Sequence, residues 1–93
     1  MQHLPALSDS LARAGAFPLA LVTLQRAWTL DSTQVFANNW NTVCWSGSLY
    51  RYALLVLPAC EQAVRMDPAG YIRDSRGLAR ALTGNIQIGR AHV

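Results

Sequence analysis

The chain has no lysine: all eight basic residues are arginine, set against five acids for a formal charge of +3. The arginines are spread from Arg13 to Arg90 without a run. The concentrated basic footprint that phosphate contacts need is therefore missing, and nucleic-acid binding is not expected. Long apolar runs are missing too. The longest, Phe17–Val22 and Ala53–Cys60, fall far short of the roughly 20 residues of a membrane span. No basic stretch leads into an apolar N-terminal segment, so no signal peptide is read and the expected setting is cytoplasmic. With only two cysteines a disulfide-dense scaffold is excluded, and Cys44 and Cys60 are expected as free thiols. Charged residues are scarce, at 14% against 52% apolar, which excludes a charged, disordered chain. One small globular domain is what 93 residues allow.

What is present is an internal echo. Ala20, Leu24 and Ala27, followed by Asp31-Ser32, recur 36 residues later as Val56, Cys60 and Ala63, followed by Asp67-Pro68, and Leu7 recurs as Val43. Each unit reads as two helices. Leu4, Leu7, Leu11 and Ala14 fall at helical spacing, and Gly15 ends their helix at low steric cost. Pro18 suits the first turn of the next, whose stripe is Leu21, Leu24 and Trp28. In the second unit Phe36, Trp40, Val43 and Cys44 make the stripe, and Gly47-Ser48 is expected to break the helix. Its successor should run to about Met66 with a kink at Pro58. A fifth helix is expected from about Gly70 to Thr83, with Ile72, Leu78 and Leu82 inward and Gly84 closing it. No strand pattern is found.

The last six residues, Ile88-Gly89-Arg90-Ala91-His92-Val93, read as the translation of a common sequencing-adapter stretch. They are expected to be non-native and are set aside from the fold. The expected layout is a first unit over 1–34, a second over 35–69, the first helix of a truncated third over 70–87, and the tail over 88–93. A fifth helix without its partner would expose Leu and Ile, which makes self-association through it an expected property.

These units resemble the tetratricopeptide repeat, a helix–turn–helix of about 34 residues with a W-x2-L-G-x2-Y, A-x3-F and late-Pro signature. The second unit carries Trp40-x2-Val43-Cys44, Val56-x3-Cys60, Ala63 and Pro68, and the first carries Leu7-Ser8, Leu11, Gly15, Ala20-x3-Leu24 and Ala27. The third carries Gly77 at the small-residue position, Arg80, and Gly84 at the turn. Departures are Ser8 and Cys44 for the usual Gly, Gly47 for the aromatic and Val56 for the small Ala. The stretch Arg73 to Gly84 is similar to one in bacterial repeat proteins attached to large signalling chains. The resemblance implies an all-α fold of about two and a half tandem helix–turn–helix units in an α–α superhelix, and a bacterial protein–protein interaction scaffold.

Chemistry-bearing motifs are few. Ser46-Gly47-Ser48 is not a G-x-S-x-G elbow, because no second Gly follows and no strand precedes. One His outside the tail and two distant Cys give no zinc spacing, so no metal is expected. The five acids form no i, i+3 or i+4 pair, and no Gly-rich loop cradles a phosphate. No catalytic residue and no cofactor are expected. Arg73, Arg76 and Arg80 share one helix face, read either as a solvated surface or as a contact for an acidic group. In the family's architecture the face carrying Asn38, Asn41, Trp45 and Ser48 lines a concave groove, which Tyr71 and Asp74 would continue. The competing reading packs both Trp40 and Trp45 between helices. The functional expectation is a non-enzymatic module that captures a peptide or helix in that groove. The alternative is a set of structural spacer repeats.

Overall fold

Five α-helices follow one another, with no strand among the described residues: α1 (His3–Arg13), α2 (Leu19–Leu30), α3 (Ala37–Leu49), α4 (Ala53–Met66) and α5 (Gly70–Ala91). This computed structural model describes residues 3–91, with side chains from 4 to 84. The side chains of 88–93, expected to be a non-native tail, lie outside that range. The molecule is therefore all-α. Helix α1 packs on α2 and α3 on α4, α5 packs on α4, and α1, α3 and α5 touch in sequence along one side. The principal extents are 47 × 26 × 19 Å.

The 36-residue echo is written in the backbone. At the end of α1, Ala16 N–H donates to Leu11 O at 2.8 Å and Gly15 N–H to Ala12 O at 3.1 Å. At the end of α3, Tyr52 N–H donates to Gly47 O at 2.7 Å and Arg51 N–H to Ser48 O at 3.2 Å. Both are Schellman closures around a left-handed residue, Gly15 at φ 78° and Arg51 at φ 70°. Glycine adopts that conformation freely, whereas for arginine the Cβ costs about 1–2 kcal/mol. The even helices also end alike. Asp31 and Asp67 are extended residues whose N–H groups reach back to Ala27 O and Ala63 O. Their carboxylates then accept from Thr33 N–H and Ala69 N–H, both at 3.1 Å. The short 3-10 turn Ser32–Gln34 follows Asp31 only, so the link from α2 to α3 is longer than that from α4 to α5.

Two helix ends differ from expectation. The helix α3 does not break at Gly47-Ser48 but continues to Leu49. Gly47 serves a packing need there: a Cβ would fall within 3 Å of both Val56 methyl groups. Without a side chain at 47, α4 lies close enough to bury Val56 completely. Likewise α5 passes Gly84 and runs to Ala91. The helix α4 runs through Pro58 unbroken.

The core is built from small residues. Ser8, Ala12, Ala20, Cys44, Ala59, Cys60, Ala63 and Ala79 are fully or almost fully buried, around the larger Leu24, Val35, Val43, Val56 and Ile72. Trp40 is buried and meets Trp28 edge-on at 5.8 Å between centroids. Leu7 is 49% exposed, and its neighbour Ser8 takes the inward place, donating to Ala20 O at 2.7 Å. On α5 the inward stripe is Ile72, Ser75, Ala79 and Thr83, whereas Leu82 is 37% exposed. Ten residues of helix turn about 80° short of whole turns, which carries Leu82 off the Ile72 line. Gly77, aligned with the small packing position, has open space around its Cβ direction. The fully buried small residue near it is Ala79, two positions on.

The two glycines should respond oppositely to one methyl group. Gly47→Ala is expected to lower stability by about 1–3 kcal/mol, as overpacking does. Gly77→Ala, in an unobstructed helix interior, should raise it by up to about 1 kcal/mol. Urea denaturation followed by circular dichroism measures both.

Candidate functional site

One cavity of about 350 Å³ opens between α3 and α5, lined by Asn41, Trp45, Tyr71, Asp74 and Ser75. Four of these were expected at a groove from the sequence. Trp45 lies on the exposed side of α3, 45% accessible, while Trp40 is packed inside. The reading that packs both tryptophans between helices therefore fails for Trp45. Asn38 belongs to the same rim. Its Oδ1 accepts from the Tyr71 hydroxyl at 2.7 Å, a bond between α5 and α3 that holds the Tyr71 ring in place. Asn41 Oδ1 is enclosed and has no hydrogen-bond partner. Asp74 is exposed and enters no ion pair among the described residues.

Ser48 is not part of the rim. It is buried, and its hydroxyl donates to Cys44 O at 2.8 Å. Asn38 and Ser48 are also ten residues apart, so the same drift of about 80° turns Ser48 into the core. Ser75 was not anticipated. It is the buried member of the α5 stripe nearest Asp74, and its hydroxyl donates to Tyr71 O at 3.1 Å.

The arginine face on α5 is largely occupied. Arg80 donates through Nε and Nη2 to Glu61 Oε1 at 3.0 and 2.7 Å, and Arg76 Nη1 lies 3.5 Å from Glu61 Oε2. Glu61, on α4, thus holds two of the three cations proposed to contact an acidic group. Arg73 alone is exposed without an ion-pair partner among the described residues. This face stands on the α4 flank of α5, roughly a quarter-turn or more from Asp74 at about 100° per residue.

The cysteines are not free thiols. Cys44 and Cys60 form a disulfide between α3 and α4, with both residues fully buried. The expectation rested on a reducing, cytoplasmic setting, and a turn placed at Gly47-Ser48 hid the pairing. With the turn at 50–52, Cys44 and Cys60 stand about two helical turns on either side of it and face each other.

Asp9 lies away from the cavity, beside Asn39, whose Nδ2 donates to its carboxylate at 3.3 and 3.5 Å. Asn39 Oδ1 in turn accepts from Phe36 N–H at 2.8 Å, closing the first turn of α3. Burial raises the Asp9 carboxyl above its ordinary 3.8, opposed by the Asn39 bond and the charge of Arg13.

No group of three or more His, Cys, Asp or Glu side chains able to hold a metal occurs among the described residues. No helix of the described residues is long and apolar enough to cross a membrane. Comparison with family models, curated proteins and solved structures finds no match to this chain.

Two measurements follow. The disulfide closes a loop of sequence separation 16, so its reduction should cost about 3 kcal/mol of stability. Intact mass should rise by two hydrogens on reduction, and urea midpoints with and without reductant give the energetic effect. For Asp9 the folded state binds its proton more tightly than the unfolded state. Its contribution to stability is therefore favourable at low pH and is lost as pH rises from 3.8 through the raised value. Asp9→Asn should remove that slope and leave stability at neutral pH equal or higher, as read from midpoints across the acid range.

Proposed function

We propose that this chain is a tetratricopeptide-like interaction module that captures a peptide or helical segment in the groove between α3 and α5, without chemistry of its own. The observation that carries the reading is the convergence of Trp45 from the second unit and Tyr71 from the third on one open cavity. Both rings remain about half exposed, although burying them against a neighbour would have been favourable. Tryptophan and tyrosine supply large, stiff contact area and are enriched where binding energy concentrates. The exposed Asn38 amide at the rim can donate to a partner's backbone through Nδ2.

A structural-spacer reading has its own support. On the even helices Leu19, Val22 and Leu54 are more than half exposed, and such residues suit packing against another domain of a larger protein. A bacterial scaffold fits either reading. The cytoplasmic setting expected from the sequence rests on the lack of a signal-peptide pattern and in turn led to free thiols, whereas a buried disulfide favours an oxidising compartment.

A diverse array of short peptides probed with the intact chain separates the two. The binding reading expects hits whose affinity falls about tenfold or more in Trp45→Ala, with helical circular dichroism unchanged. The spacer reading expects no hits.

A further inference from the structure

We propose that the cavity receives a basic side chain, arginine or lysine, of the captured segment. This proposal rests on the groove reading above and deepens it. Three observations converge. First, the cavity walls are two aromatic side chains, Trp45 and Tyr71. Neither takes part in the aromatic pairs Phe17–Tyr50, Phe17–Tyr52 and Trp28–Trp40. The negative ring faces that attract a cation are thus not spent on one another.

Second, among the described residues the only charged side chain lining the cavity is the Asp74 carboxylate. The neighbouring acid, Glu61, is committed to Arg76 and Arg80 on the other flank of α5. The arrangement keeps those two cations away from the cavity and leaves Asp74 without a partner among the described residues. Third, the polar groups around the rim offer acceptors. The Tyr71 hydroxyl proton is engaged by Asn38, so its oxygen presents lone pairs beside those of the exposed Asp74 carboxylate.

The local chemistry runs against the chain as a whole, whose formal charge is +3. Long-range attraction would draw acidic partners, so selectivity for a cation must come from the cavity itself. The chemistry is also the reverse of the acidic-group contact that the arginine face suggested. An acidic group in this cavity would meet Asp74 with no cation among the residues lining it.

The test uses blocked peptides of one sequence, taken from an array hit, with the central residue set to Arg, Lys, Gln or Glu. Binding to the intact chain is read by tryptophan fluorescence and by calorimetry. The expected result is that Arg and Lys peptides bind about three- to thirtyfold more tightly than the Gln peptide, the range of a partly desolvated cation–aromatic contact with a carboxylate. In Asp74→Asn that preference should shrink towards unity while the Gln peptide binds as before. Arg73→Gln, on the far flank, should leave the preference unchanged. A preference for Gln or Glu, with Trp45 still required, overturns the proposal and leaves the groove reading standing. A basic preference that is undiminished in Asp74→Asn also overturns it. Absence of binding by every peptide overturns both.

Discussion

The seam between α3 and α4 is the constraint on which the rest of the molecule depends. Gly47 has no side chain, and Val56 fills the space that a Cβ would need. This close approach brings Cys44 and Cys60 to a Cα separation of 4.9 Å, and they are joined. The same two helices bury Val43, Ala59 and Ala63 and provide the platform on which α5 lies. Small side chains at the contact let whole helices approach, and dispersion attraction grows as they do. The arrangement of α5, and with it the cavity, follows from where this central pair stands.

Outward from the seam the two units are bound by polar contacts of different character. The pairing of Arg76 and Arg80 with Glu61 ties α5 to α4 at a partly exposed surface, where such ion pairs add little stability. Their larger effect is on charge distribution, since they confine two cations to one flank. The Asn38–Tyr71 bond ties α5 to α3 on the opposite flank. The fifth helix is thereby held from both sides, and the cavity opens on the side where the charge is negative.

Much of this was legible in the sequence, because periodicity survives in a helical array. The echo from Ala20, Leu24 and Ala27 to Val56, Cys60 and Ala63 corresponds to buried positions throughout. The paired Asp31 and Asp67 turns are equally regular. What was misread came from two physical ambiguities. Gly47 looked like a helix stop, but glycine also marks a close approach, and only the position of the partner helix distinguishes these roles. Moving the turn to Arg51 pairs the cysteines. The left-handed role fell to an arginine, and no sequence rule selects that residue. The second ambiguity is angular. Spacings of ten residues were treated as one face, although the helix drifts by about 80° over that length. Ser48 and Leu82 were misassigned for this reason, while Asn41, Trp45, Tyr71 and Asp74, spaced more closely within each helix, were read onto the cavity. The ties of Glu61 to Arg76 and Arg80 cross between helices and leave no mark in local spacing.

The walls of the cavity come from different helices: Asn41 and Trp45 from α3, Tyr71, Asp74 and Ser75 from α5. Its width is therefore not a property of either helix but of the angle at which they meet. A molecule wedged between Trp45 and Tyr71 would do mechanical work on that angle, and a change of angle would in turn tighten or loosen its hold. By reciprocity the two are coupled by a single free energy. In a longer stack built on this plan, curvature and occupancy would then be read from one another.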